Sequence, residues 1–195
     1  LETISGIAPL IIFKYYNFVI DNANGMLGHG NLPGLNWAIP IGISFFSFQA
    51  IGYLVDVYRQ RIPAERNFLY YALFISFFPQ IMSGPISRAS ALLPQIKGKR
   101  TFDETQAAKG LKWLLWGMFL KTVMADRLGL YVDSVYDNFQ YQSGVSCLVA
   151  SFMYTMQIYG DFAGYSLMAI GVGKLMGFDL VNNFNRPYFA ASITE

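Results

Sequence analysis

Long stretches of this chain carry no formal charge: none occurs from Asn22 to Val55, from Asn67 to Ser87, or from Asn138 to Gly160. A soluble domain keeps roughly 25% of its residues charged; here the share is 13%, with 17% aromatic and a mean hydropathy of +0.35. So few charges cannot cover a surface in water without leaving apolar patches large enough to aggregate. In a bilayer the same surface suits the solvent. The fold class this predicts is all-α integral membrane, a multi-helix bundle. The formal net charge of +2 is too small to suggest nucleic acid as a partner, and the basic residues fall in short clusters between apolar runs, where such residues set orientation.

The candidate membrane segments are Ile4 to Ile20, interrupted by Lys14, then Trp37 to Tyr58, Asn67 to Ser87, Leu111 to Ala125 apart from Lys112 and Lys121, Asn138 to Gly160, and Phe162 to Phe178 with only Lys174. Gly25, Gly28, Gly30, Pro33 and Gly34 read as a loop before the second. Whether 144–177 forms one helix or two is open, with Gly160 and Gly164 as possible breaks. Arg59, Arg61 and Arg66 form one basic cluster, and Arg88, Lys97, Lys99, Arg100, Lys109 and Lys112 another. With both in the cytoplasm, 21–36 and 128–143 fall outside. Segment 67–87 then begins and ends on the same side. Its Phe77-Phe78-Pro79-Gln80-Ile81-Met82-Ser83-Gly84-Pro85 stretch places prolines and a glycine inside an apolar run. Proline lacks the backbone donor, and irregular backbone at membrane depth survives only where protein or a cavity satisfies it. A re-entrant segment near 67–87, turning between Pro79 and Pro85, is therefore expected. Segment 97–108 is expected to hold a cytoplasmic loop followed by a helix start, with Thr101 or Asp103 as the N-cap.

Polar groups within membrane helices are functional candidates. At helical spacing Tyr154, Gln157, Asp161, Tyr165 and Met168 share one face, which would line a cavity or bind another helix. Asp161 is the only carboxylate between Asp137 and Asp179; it could equally pair with an arginine or cap a helix beginning at 162. Gly160, Gly164, Ala169, Gly173 and Gly177 read as close helix packing. His29, the only histidine, has no carboxylate or cysteine at ligand spacing and reads as a loop residue. Cys147 reads as a small packing residue; it allows no internal disulfide, and no metal site is indicated. By its own residues the chain presents no complete active site.

Three segments resemble the membrane-bound O-acyltransferase family, in the branch of the alginate O-acetyltransferase membrane subunit. They are Pro40-Ile41-Gly42-Ile43-Ser44-Phe45-Phe46-Ser47-Phe48-Gln49 running on through Tyr53 to Arg59, Phe77 through Arg88, and Gln157 through Gly171, continuing in Asn183-Phe184-Asn185-Arg186-Pro187-Tyr188-Phe189. The likeness covers about Pro9 to Glu195. It implies a multi-pass protein of the bacterial inner membrane that passes an acyl group, acetyl in this branch, from a cytoplasmic thioester to a polysaccharide hydroxyl outside. The donor would be acetyl-coenzyme A or an acyl-carrier protein. An extracytoplasmic acetyltransferase-like partner protein and the lipid bilayer are implied as partners, and no bound cofactor. In the family a catalytic histidine follows the stretch resembling Ser192-Ile193-Thr194-Glu195. Residues 1–195 are thus expected to be part of a domain that continues beyond Glu195, inactive alone. No catalytic residue is assigned within this chain; Gln80, Arg88, Asp161, Tyr165 and Asn185 are the candidates for substrate binding. The alternatives are D-alanyl transfer to teichoic acid and a membrane transporter or channel component.

Overall fold

The structure, a computed structural model, describes residues 2–27, 33–34, 38, 40, 42–81, 84–184, 187–190 and 192, with side chains in the first helix from 11 to 26. Every regular element among these residues is helical, as the sequence predicts. They fall into two compact units: Leu1–Met82 with Ile86–Gly98, and Ser83–Pro85 with Lys99–Glu195.

In the first unit, α1 (Glu2–Leu27) continues through Gly25, past the point where the sequence suggests a loop. It packs on α2 (Ile43–Tyr58), which starts later than Trp37. The residue before α2 is Gly42, with φ 75°. A Cβ there would lie 2.0 Å from the Ile81 carbonyl oxygen, so glycine is required both for its left-handed backbone and for its missing side chain. The segment α3 (Phe68–Ile75) opens on Asn67, whose Oδ1 accepts from the Leu69 N–H at 2.9 Å. It is only 8 residues long, roughly 12 Å by helical rise, well short of a membrane crossing.

The break in 67–87 falls earlier than expected. The helix stops at Ile75, and Pro79 lies inside the single turn α4 (Phe78–Ile81). The reason is that proline in a first turn forfeits no hydrogen bond, since that N–H has no intrahelical partner anyway. Stopping at Ile75 strands the last carbonyls of α3. One of them, that of Phe74, accepts from the buried Gln49 Nε2 at 2.8 Å. Residues 84–88 have no regular structure and lead into α5 (Ala89–Lys97), which packs back on α3.

The second unit begins with α6 (Glu104–Met118), capped by Asp103, whose side chain accepts from Thr105 N–H at 2.9 Å. Of the two expected caps, Asp103 is the one used. The helix then widens to π geometry over Phe119–Ala125 and returns to α in α7 (Asp126–Tyr136). The rod is therefore much longer than the apolar run 111–125. Packed along it is α8 (Gly144–Leu175). The open question of one helix or two is settled as one, because Gly160 and Gly164 serve contact, not fracture. Gly177 lies beyond the helix: its φ is 80°, and Phe178 N–H reaches back to the Gly173 carbonyl at 2.8 Å, the bond of a left-handed C-terminal cap. Arg100 fastens this end, donating to the Gly177 carbonyl at 3.0 Å with its guanidinium 4.8 Å from the Phe178 ring centre.

Among the described residues no helix is both long and apolar enough to cross a membrane. Both α1 and α8, at 26 and 32 residues, exceed the roughly 20 residues a crossing needs. Polar residues dilute them, Lys14, Asn17, Asp21 and Asn22 in α1 and Thr155, Gln157 and Asp161 in α8.

Candidate functional site

The helix α8 approaches the α6–π–α7 rod through glycines. A Cβ on Gly117 would lie 2.6 Å from the Gly164 carbonyl oxygen, and one on Gly171 would lie 2.6 Å from the Leu114 nitrogen. Backbone meets backbone at both points, which is how small residues bring helices together.

That approach sets the whole predicted stripe of α8 against the rod. Tyr154 meets Tyr136 edge-on, ring centres 5.9 Å apart. Gln157 fills the space over Gly129, its Nε2 2.9 Å from where a Cβ would be. Met168 N lies 2.8 Å from the corresponding point on Gly117. Between these contacts are Asp161 and Tyr165, and the group they meet is Lys121. Its Nζ lies 2.7 Å from Asp161 Oδ1, 2.7 Å from Asp126 Oδ1 and 5.5 Å from the Tyr165 ring centre. With Asp126 the alignment is that of a hydrogen bond; with Asp161 it is a close ion pair only.

The π segment is what places Lys121. Its closing bond runs from Asp126 N–H to the Lys121 carbonyl, five residues back in place of four. Thr122 Oγ1 takes part in the irregularity, donating to the Met118 carbonyl at 2.8 Å. Such single π stretches recur at functional sites. The cluster is neither sealed nor open: side-chain exposure is 24% for Lys121 and 46% for Asp161. Two carboxylates and one ammonium leave it a formal charge of −1, held beside a phenol. An arrangement of this kind can fix a polar substrate's orientation and hold a proton near it.

On another side of α8, Tyr159 and Phe162 meet Phe184 edge-on with ring centres 5.9 and 5.2 Å away, and Tyr188 donates its hydroxyl to the Thr155 carbonyl at 2.9 Å. A cleft of about 350 Å³ runs along this wall, lined also by Lys112, Trp113, Trp116 and Asn182.

Of the predicted binding residues, then, Asp161 and Tyr165 are brought together. Asp161 pairs with a lysine rather than an arginine, and stands mid-helix rather than at a cap. Gln80 and Arg88 belong to the other unit. Gln80 is buried and donates to Ser87 Oγ at 2.5 Å, leaving its Oε1 without a hydrogen-bond partner. Arg88 is exposed at the N-terminus of α5, its carbonyl accepting from Ala91 and Leu92. Asn185 and His29 lie outside the described residues. Sequence reasoning missed Lys121, which reads as a mere interruption of an apolar run. The available signal was that this lysine interrupts the run where Asp126 comes five residues later.

No protein-family model matches the chain. Named relatives do. It is 39% identical over 192 residues to a probable alginate O-acetylase of Pseudomonas putida, covering 97% of this chain and 39% of the relative. It is 34% identical to a peptidoglycan O-acetyltransferase of Helicobacter pylori, over 100% of this chain and 42% of the relative. To a teichoic acid D-alanyltransferase of Bacillus subtilis it is 26% identical, over 98% of this chain and 48% of the relative. The chain thus spans less than half the length of each.

Proposed function

This chain belongs to the membrane-bound O-acyltransferase family, and on that premise we propose that it forms part of an enzyme that passes an acetyl group from a cytoplasmic thioester to an extracytoplasmic polysaccharide hydroxyl. The observation that carries the reading is the likeness over nearly the whole chain to relatives named for acyl transfer to alginate, peptidoglycan and teichoic acid. Acetyl is preferred over D-alanyl because identity is 39% to the alginate relative and 26% to the teichoic acid one. A bacterial membrane location is supported by the exposed Val145, Leu148 and Phe152 of α8, spaced on one helical face, where lipid would cover what water could not.

In the proposed reaction the acceptor oxygen attacks the thioester carbonyl, a general base takes the hydroxyl proton, and the sulfur leaves as a thiol. The base is assigned to a histidine outside this chain. Within the chain, the cluster of Lys121 with Asp161, Asp126 and Tyr165 orients a polar substrate; Gln80, Arg88 and Asn185 stand as separate proposals for substrate binding. An extracytoplasmic acetyltransferase-like protein completes delivery to the polymer.

The test is acetyl transfer from a labelled thioester to polysaccharide by the full-length protein, wild type against Asp161→Asn and Lys121→Met. Each variant is expected to lose up to about a hundredfold in rate, the scale on which a small misplacement of the reacting groups tells, while still accumulating in the membrane. Undiminished transfer in both would remove the cluster from the site; no transfer by wild type from any thioester would overturn the enzyme reading.

A further inference from the structure

The first unit contains a cavity of about 550 Å³, well away in sequence from the Lys121 cluster. Its walls come from the turn after α2 and from α5. Ile62, Pro63, Ala64, Leu93 and Pro94 make the apolar side, and Glu65, Arg66, Ser90 and Lys97 the polar side. Glu65 and Lys97 form an ion pair across it, and the Lys97 ammonium also stands 5.7 Å from the Tyr70 ring centre.

The charge around this cavity is unbalanced. Asp56 and Glu65 are the only acidic residues between Asp21 and Asp103. Both are already engaged, Asp56 by Arg61 at 3.4 Å and Glu65 by Lys97. Arg59, Arg66 and Arg88 are exposed and have no ion-pair partner among the described residues. Arg66 lines the cavity itself, Arg59 stands in the turn leading to it, and Arg88 directly precedes the lining residue Ala89.

The residues just after Arg66 mark the depth of the cavity. Asn67 caps α3, and its neighbours Phe68 and Leu69 are 75% and 74% exposed. Charge gives way to bare apolar surface within three residues, the transition expected where a chain passes from the headgroup layer into hydrocarbon. Juxtamembrane clusters of Lys and Arg attract anionic lipids, and an apolar wall beside a cation suits an amphiphile rather than a small soluble anion.

We propose that this cavity binds an anionic phospholipid, its headgroup phosphate on Arg66 with Ser90 beside it, and its glycerol and upper acyl carbons against Ile62, Pro63 and Leu93. The proposal rests on the protein's being in a membrane but not on acyl transfer. A lipid held there would anchor the turn between α2 and α3 at the bilayer surface.

The experiment is native mass spectrometry of the full-length protein from nanodiscs of mixed phosphatidylglycerol and phosphatidylcholine, with and without free glycerol 3-phosphate. Wild type is expected to retain phosphatidylglycerol selectively. Arg66→Gln should cut that selectivity about fivefold, the worth of one basic side chain at an anionic surface. Ser90→Phe, which fills the cavity and leaves every charge in place, should do the same, whereas Arg59→Gln, outside the cavity, should have a smaller effect. Equal retention of the two lipids, or selectivity unmoved by both cavity variants, overturns the proposal and leaves the membrane reading intact. Displacement of the lipid by glycerol 3-phosphate overturns the lipid as occupant in favour of a soluble phosphate ester. Failure of the wild type to enter nanodiscs overturns the membrane reading, and this inference with it.

Discussion

The two units admit polar groups into apolar sequence by opposite means. The first unit breaks its helix. At Ile75 the chain leaves helical geometry, and a neutral side chain makes good one loss: Gln49 donates to the Phe74 carbonyl. The second unit never breaks. Its α6–π–α7 rod absorbs one irregular stretch, and the polar group it presents is a charged lysine held by Asp126 and Asp161. The difference arises from what each segment can lose. A neutral amide matches one stranded carbonyl with one donor, and the partnership works only if the backbone there is fixed. An ammonium between carboxylates tolerates misalignment, since ion pairing depends on distance more than angle, so it can be carried on a helix that merely widens. One unit relies on backbone irregularity, the other on close packing of regular helices.

The sharpest way to break this contrast is to attack the packing. Gly171→Val puts a branched side chain where even a Cβ would lie 2.6 Å from the Leu114 nitrogen and 2.8 Å from the Gly110 carbonyl oxygen. Backbone cannot yield as a side chain can, so the cost should be at the top of the overpacking range, about 3 kcal/mol. Thermal unfolding of the full-length protein in detergent should show it as a large fall in Tm. Gly25→Val, at a position where nothing lies within 4 Å, supplies the control and should differ little beyond its helix propensity. Equal effects from the two would mean that the glycine contacts do not hold α8 to the rod.

The next largest effect should come from the first unit. Gln49→Leu keeps side-chain bulk but leaves the Phe74 carbonyl buried without its partner. An unsatisfied buried acceptor costs about 1–3 kcal/mol, read by the same unfolding measurement. Hydrogen exchange should localise the loss: amides of α3 should open while those of α6 and α8 keep their protection. Loss of protection spread evenly over both units would mean that they do not hold their polar groups independently.

How much of this was visible in the sequence differs between the units as well. The stripe Tyr154, Gln157, Asp161, Tyr165 and Met168 was legible because a regular helix repeats its geometry, so spacing alone puts the five residues on one face once the helix runs unbroken. The N-cap Asp103 was legible for a similar local reason. The break at Ile75 was not placed correctly. Proline marks an interruption, but tertiary partners decide on which side the helix stops, and here Gln49, 25 residues away, supplies the partner. Lys121 was illegible for a third reason. A π stretch depends on which i→i+5 bonds close against a neighbouring helix, and spacing rules built on 3.6 residues per turn have no place for it. Gly177 shows the same limit in miniature: four residues after Gly173 it continues the small-residue series, yet it is a cap.

The smallest effect, and the most specific, should come from pH. Glu65 sits beneath Lys97, whose hydrogen bond is the main reason its carboxyl is held below the usual carboxylate range; the Asn67 N–H, 3.0 Å from its Oε1, adds to this. Its own N–H donates to the Tyr53 hydroxyl at 2.7 Å, so the residue ties α2, the turn and α5 together. Because the folded pKa lies below the unfolded one, the contribution to stability is complete above the ordinary glutamate value of about 4.3. It is lost as pH falls below that value and through the folded pKa. Wild type should therefore be more stable than Glu65→Gln at neutral pH, and the gap should close under acid. Lys97 is half exposed, so salt should shrink the gap at neutral pH as it screens the pair. A gap that persisted unchanged at pH 3, or widened there, would show that Glu65 acts through the shape and neutral hydrogen bonding of its side chain and not through its charge. The turn would then resemble the break at Ile75, where a neutral amide, Gln49, serves the backbone.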